Sequence, residues 1–213
     1  MAAFMIKPLS NTSVLGKILA AASGLTMKYT TKSQVDADAC LDAVELNGMN
    51  IQYIVKPTED ICLAAVTQNG MAIRFITKPS NAVLLAAVRQ NGMAIIYISS
   101  RGHDICLAAV TKNGMAISCI SHPSHDVCLA AVTQTGWAID HITNPTEDLC
   151  LAAVTQNGWA VKCITDPSDD VCLAAVNQDW YAVNYINKQI SSACMEIVTR
   201  KKEEDIFMRC TYC

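Results

Sequence analysis

The apolar positions of this chain return in the same order every 22 residues. The clearest unit reads Asp-Leu-Cys-Leu-Ala-Ala-Val-Thr-Gln-Asn-Gly-Trp-Ala-Val at 148–161. Its second leucine recurs at Leu41, Leu63, Leu85, Leu107, Leu129, Leu151 and Leu173, with degenerate copies at Leu19 and Met195. A fixed period of this length is typical of a solenoid, in which each repeat packs only on its neighbours.

One copy, residues 56–77, shows the elements that the pattern predicts. Pro57 ends the preceding element, and Thr58 is a good N-cap for an α-helix that continues to Gln68. Asn69-Gly70 stops this helix, and a second helix of about one or two turns, partly 3₁₀, is expected to follow. A strand is disfavoured at this second position because the chain lacks β-rich neighbours to pair with it.

Several positions of the repeat have their own chemistry. A glycine column is expected to supply a left-handed residue after each α-helix; it contains Gly48, Gly70, Gly92, Gly114, Gly136 and Gly158. One outward position of the second helix differs in size and charge from repeat to repeat, which a buried position would not tolerate. We take this column as the candidate partner-binding surface. It contains Gln52, Arg74, Ile96, Ser118, Asp140, Lys162 and Asn184.

Two further columns have a structural and a functional interpretation. One column contains methionine in the earlier copies and Trp137 and Trp159 in later copies. We expect these side chains to be mainly core residues, and contact anchors for a partner only as the second interpretation. Recurrent glutamines, such as Gln68 and Gln156, form either a polar ladder for an extended peptide or hydrogen bonds from repeat to repeat.

The sequence therefore predicts an all-α fold, a right- or left-wound α-solenoid of helix-turn-helix repeats in a single domain. An N-terminal lead-in is expected at 1–16 and an array of about eight repeats at 17–194. A charged capping helix and tail are expected at 195–213. Residues 18–22 are apolar, but this stretch is too short to cross a membrane, and no membrane association is expected.

Charge is distributed unevenly along the chain. Residues 1–112 contain ten Lys/Arg and seven Asp/Glu, whereas residues 113–213 contain six and twelve, within a net charge of −3. Two interpretations of the acidic residues are open. They lie in the first turns of helices, where carboxylates interact favourably with the positive end of the helix dipole. Alternatively, they form a contact surface for a basic partner or for head-to-tail self-association. With no polybasic block and an acidic second half, no nucleic-acid binding is expected.

The chain contains eleven cysteines, and seven share one column in which Leu84 takes the remaining place. We expect them to be buried thiols, because helix spacing exceeds the reach of a disulfide. An odd number of thiols without the spacing of a disulfide scaffold indicates a reducing compartment and not a secreted protein. Cys210 and Cys213 have the spacing of half a zinc site but no second pair nearby, so no metal site is assigned. His103 and His125 are expected to be solvated helix-start residues.

No phosphate-binding loop, nucleophile elbow or HExxH motif is found. A catalytic constellation would break the repeat symmetry at one place, whereas the departures lie at the ends. We therefore expect no enzymatic activity and no cofactor.

The units at 150–161 and 171–178 resemble a short helical repeat of unknown function, with an LAAV-x-QNGWA core, that is abundant in proteins of giant DNA viruses of amoebae. The resemblance covers about residues 30–187. It departs from the usual form where methionine replaces tryptophan in the first copies and where Trp180 replaces the final glycine. It implies a viral origin and provides no catalytic residues.

These observations together predict a scaffold or adaptor that binds a host or viral protein during giant-virus infection, in the host cytoplasm or in the virion. The alternative is a structural component of the virion, held by end-to-end or lateral contacts.

Overall fold

The computed structural model describes residues 29–30, 34–186 and 189–211. The predicted lead-in and the degenerate copy around Leu19 lie outside the described residues. Contacts divide the chain into two compact units, residues 1–101 and 102–213. The boundary falls where Arg101-Gly102 replaces the proline and Ser/Thr of other repeats.

Both units are built from 22-residue repeats in which an α-helix is followed by a six-residue 3₁₀ helix, so the chain is an all-α repeat solenoid. Unit 1 contains α1 (Gln34–Leu46), η1 (Gly48–Tyr53), α2 (Glu59–Gln68), η2 (Gly70–Phe75), α3 (Asn81–Gln90) and η3 (Gly92–Tyr97). Two-residue strands β1 (Tyr29–Thr30) and β2 (Ile54–Val55) pair in parallel, with Tyr29 opposite Ile54.

Unit 2 continues the same alternation. It contains α4 (His103–Lys112), η4 (Gly114–Cys119), α5 (His125–Gln134), η5 (Gly136–His141), α6 (Glu147–Gln156), η6 (Gly158–Cys163), α7 (Asp169–Gln178), η7 (Trp180–Tyr185) and α8 (Ser192–Thr211). The expectation that the second element is short and partly 3₁₀ is confirmed, and it is 3₁₀ throughout.

Within each unit the α-helices form one layer and the 3₁₀ helices another. Helix α2, for example, packs between α1 and α3, while η1 packs on both α1 and α2. Each of α2–α7 buries four side chains, of which Ile61, Cys62, Ala65 and Val66 are typical. Each of η1–η6 buries its glycine and its third and fourth residues. The core thus lies between the two layers, and small residues allow them to approach closely.

The turns between repeats use a residue that sequence reasoning did not identify. Lys56, Lys78, His122, Asn144 and Asp166 all have φ between 50° and 57°, in the left-handed region, and a proline follows each. The next residue after that proline is the predicted Ser or Thr N-cap; Thr58, Ser80 and Ser168 accept a hydrogen bond from the third residue of the helix.

The role expected for the glycine column is wrong. Gly48, Gly70, Gly114, Gly136 and Gly158 have no left-handed backbone and are the first residues of 3₁₀ helices. They are needed because a Cβ would lie 2.2–2.6 Å from an alanine carbonyl oxygen of the next repeat. The glycine therefore permits a close approach between repeats, rather than a turn.

The predicted start of the C-terminal segment, residue 195, lies within α8, which begins at Ser192. This helix packs against α7 and η7, and the ammonium group of Lys201 donates a hydrogen bond to the carbonyl oxygen of Asn177. Within the ranges that the structure describes, no helix has both the length and the apolar character needed to cross a membrane.

Candidate protein-interaction surface

In each unit the outward side of the 3₁₀ layer forms a ridge, which we define as the second, fifth and sixth residues of η1–η3 in unit 1 and of η4–η7 in unit 2. The fifth residues are the candidate column of the sequence analysis: Gln52, Arg74, Ile96, Ser118, Asp140, Lys162 and Asn184. All seven side chains are exposed. Ile96 is the clearest departure from an ordinary polar surface, because more than half of this apolar side chain is exposed, at 53%.

The second position of the ridge is not a core position, contrary to expectation. Its methionines are only half-buried, and Trp137, Trp159 and Tyr181 are 36%, 37% and 40% exposed. The reason is geometric: in a 3₁₀ helix that buries its first, third and fourth residues, the second residue lies at the edge of the contact. The aromatic side chains therefore add exposed apolar area beside the variable column.

Trp159 is held in a defined position within unit 2. Its Nε1–H donates a hydrogen bond of 2.6 Å to Asp179, and its ring lies 5.2 Å from that of Tyr185. The ammonium group of Lys162 lies 5.6 Å from the centre of the Tyr185 ring, at the outer limit of a cation–π contact. This part of the ridge is a preorganised aromatic cluster with charged groups on both sides.

The ridge is fixed to the α layer by hydrogen bonds between successive repeats. The glycine N–H donates to the side-chain oxygen of a glutamine in the next repeat, at 2.6–2.7 Å; the pairs are Gly48–Gln68, Gly70–Gln90, Gly114–Gln134, Gly136–Gln156 and Gly158–Gln178. The repeat-to-repeat interpretation of the glutamine column is confirmed. Each of these glutamines therefore joins its own repeat to the preceding one through Oε1.

The asparagine before the glycine has a capping role. In the repeat containing Asn69, its Oδ1 accepts from the N–H of Met71 at 3.0 Å, so it caps the 3₁₀ helix that follows, while its own N–H bonds to Ala65 at the end of α2. One residue thus joins the two helices of a repeat.

The helix starts of unit 2 contain histidine–aspartate contacts that sequence reasoning missed. His103 lies 2.9 Å from Asp126 of the next repeat, and His125 lies 2.8 Å from Asp148. The repeat pattern could have indicated these contacts, because the first residue of one α-helix lies next to the second residue of the α-helix in the following repeat. The hydroxyl of Ser124 donates to Asp126 and that of Thr146 donates to Asp148.

These contacts shift the acid–base properties of the two carboxyl groups. The Ser124 hydrogen bond is the main cause of the lowered pKa of Asp126. Desolvation opposes this shift, and nearby His103 lowers the pKa further. Asp148 has a lowered pKa for the same reasons, with Thr146 and His125 as partners. Hydrogen bonds and positive charge both favour the ionised carboxylate.

Between successive turns lie clefts that border the ridge. One in unit 2 has a volume of about 410 Å³ and is bordered by Asp140, Glu147 and Asp166. A second, of about 360 Å³, shares residues 163–167 with it and extends to Lys162 and Tyr185. Unit 1 has a cleft of about 350 Å³ bordered by Lys56, Glu59 and Lys78. The clefts are open grooves rather than enclosed ligand pockets.

The cysteine column is structural, as predicted. The nine described cysteines are thiols, and the seven in the column are all buried. Burial raises the pKa of the Cys62, Cys128 and Cys150 thiols, with a further contribution from nearby carboxylates. Cys119 and Cys163 are half-buried on the ridge; burial raises the pKa of Cys163 and the carboxylate of Asp140 raises it further.

No group of three or more metal-binding side chains is found in the part of the chain that the structure describes. Cys213 lies outside the described residues, and so does the side chain of Cys210, the other half of the Cys-x-x-Cys pair.

Comparison with protein-family models, with curated proteins and with solved structures gives no match to this chain.

Proposed function

We propose that this chain is a non-enzymatic scaffold or adaptor that binds a partner protein along the ridge of the 3₁₀ layer. The observation that carries the proposal is the contrast between a repeated support and a changing surface. The glycine, asparagine and glutamine contacts recur from repeat to repeat, while the exposed fifth position changes from Arg74 to Ile96 to Asp140.

Such a contrast supports binding over a purely structural role of the surface. A repeat array displays one exposed variable side chain per repeat on a fixed backbone. Each repeat can therefore contact a different part of an elongated partner. The exposed aromatic rings of Trp137, Trp159 and Tyr181 add the type of side chain that contributes most to protein interfaces.

The biological setting of the proposal rests on the resemblance of the repeat core alone. We propose that the chain acts in a giant-virus infection, in the host cytoplasm or in the virion, and in a reducing compartment that suits its thiols. The competing role is a structural component of the particle.

The test combines proteomics of purified virions with a tagged pull-down from infected cells. Recovery of one partner, lost with the ridge variant Arg74→Glu/Ile96→Asp, is the expected result. Leu129→Gln is the matched control, because Leu129 is 38% exposed but lies on the α layer. An abundant virion protein whose neighbours are unaffected by the ridge variant would favour the structural role and contradict the adaptor proposal.

A further inference from the structure

The clefts of the two units occupy equivalent places in the repeat but differ in charge. The cleft of unit 1 and the larger cleft of unit 2 are bordered by the same repeat positions, four repeats apart. Lys56 and Lys78, the left-handed residues of unit 1, correspond to Asn144 and Asp166 in unit 2. The backbone is therefore retained while the charge at the mouth of the cleft is reversed.

The unit 2 cleft has a strongly acidic border. Asp140, Glu147 and Asp166 line it, and its lining contains no lysine or arginine. The surroundings have the same sign, since residues 113–186 contain eight Asp/Glu and a single lysine, Lys162. Clefts lined by one sign of charge concentrate ligands of the opposite sign.

The acidic cleft continues into the aromatic cluster of the ridge. It shares residues 163–167 with the neighbouring cleft, which is bordered by Tyr185. Tyr185 already has the ammonium group of Lys162 near its ring, and Trp159 is beside it. Tyr185 is half-buried and Trp159 is 37% exposed. Carboxylates next to accessible aromatic rings form a surface that suits arginine, because guanidinium both pairs with carboxylate and stacks on aromatic faces.

The spacing of the repeats selects an extended ligand. Neighbouring helices of a solenoid lie about 8–10 Å apart. A polyproline II segment rises about 3.1 Å per residue, so every third side chain advances by about one repeat. A partner with a basic residue at every third position therefore presents one positive charge to each repeat.

We propose that unit 2 binds an extended arginine- or lysine-rich segment of a partner protein, with its basic side chains in the cleft lined by Asp140 and Asp166 and its backbone along the ridge. This inference deepens the proposed function and rests on it. Charge complementarity sets the partner's chemistry: the acidic cleft favours a basic segment and repels an acidic one.

The probe is a synthetic peptide of about four Arg-Pro-Pro triplets, with the Glu-Pro-Pro peptide as the charge-reversed comparison. Binding to the full chain is measured by fluorescence anisotropy at low and at physiological salt. The test variant is Asp140→Gln/Asp166→Lys, which gives unit 2 the residues that unit 1 has at the same positions, Gln52 and Lys78. Because lysine already occupies the left-handed position in unit 1, the variant is expected to fold.

The Arg-Pro-Pro peptide is expected to bind the wild-type chain, and the variant is expected to weaken that binding by roughly tenfold or more. Binding should also weaken as salt is added. The matched control is Asp104→Asn/Asp170→Asn, which removes two exposed carboxylates of unit 2 that do not line the clefts, and it should retain most of the affinity.

Three results would overturn the inference. One is no preference for the arginine peptide over the glutamate peptide, and another is an equal loss of binding in the control. The third is sedimentation analysis in which the wild-type chain self-associates and the test variant does not, which would assign the acidic clefts to a second copy. A partner recovered by pull-down and lost with the Arg74/Ile96 variant would leave the proposed function standing in each case.

Discussion

The backbone N–H of Gly136 donates a hydrogen bond of 2.6 Å to Oε1 of Gln156, which lies twenty residues further along the chain. The same glycine lies so close to the next α-helix that an added Cβ would be 2.5 Å from the carbonyl oxygen of Ala153. Gly136 thus donates the hydrogen bond between η5 and α6, and because it has no side chain the two helices can approach closely enough to form it.

Replacing this glycine should separate the two helices. Gly136→Ala is expected to lower the free energy of unfolding by about 1–3 kcal/mol, because the alanine methyl group meets backbone and not a movable side chain. Urea denaturation followed by circular dichroism measures the change.

The control for this substitution is Gly102→Ala. Gly102 has φ −63°, and a Cβ there would meet nothing within 4 Å. Its stability should change by less than about 1 kcal/mol. Equal losses in the two variants would show that close approach is not the reason for the glycine column.

The glutamine side of the contact gives a second prediction. Gln156→Ala leaves the N–H of Gly136 without its acceptor in a part-buried position, and should cost about 1–2 kcal/mol. Gln156→Glu keeps an oxygen in the same place and should retain most of the stability. If glutamate were as destabilising as alanine, the hydrogen bond would not be the stabilising feature.

Acid should weaken the helix starts of unit 2. The pKa values of Asp126 and Asp148 are lowered in the folded chain, so their contribution to stability is present above the ordinary pKa of aspartate, about 3.9, and is lost as the pH falls through the lowered values. The melting temperature measured from pH 6 to pH 3 should therefore fall toward acid.

The double variant Asp126→Asn/Asp148→Asn should reduce this acid dependence, because its amides do not titrate. Ser121→Ala, at an exposed loop residue, should retain the wild-type profile. An identical slope in all three chains would show that other groups cause the acid sensitivity.

The reactivity of Cys163 should report on the acidic cleft. Its thiol has a pKa raised by burial and by the carboxylate of Asp140, and only the thiolate reacts with alkylating reagents. Asp140→Asn should therefore accelerate its alkylation by iodoacetamide about two- to fivefold at constant pH. Peptide mass spectrometry measures the rate, with buried Cys128 as the internal reference, which should remain slow. An unchanged rate would mean that the carboxylate does not influence this thiol.

The regular part of this fold follows from the sequence because every repeat contains the same helix start and stop signals. Proline before Thr58, the apolar run from Ile61 to Val66 and the Asn69-Gly70 stop are local signals, and they predict both helices. The buried cysteine column was predictable for a similar reason, since Leu84 takes one place in it and an apolar residue there indicates a buried position.

The contacts between repeats were harder to predict because they depend on how closely the layers approach. Glycine after a helix usually indicates a left-handed cap, and only the position of the Ala65 carbonyl oxygen reveals why Gly48 has no side chain. The pairing of His103 with Asp126 requires the offset between neighbouring helices, which the period alone does not give. The exposure of Trp137 likewise depends on which edge of a 3₁₀ helix faces the core.

The five glycine-to-glutamine hydrogen bonds each reach only into the adjacent repeat, and this has a consequence for how such a gene can evolve. Duplication or deletion of one 22-residue segment adds or removes one complete contact and leaves the others intact. Each added segment also contributes one new outward residue. The length of the array, and with it the length of partner that it recognises, can therefore change by recombination in whole steps, without redesign of the core.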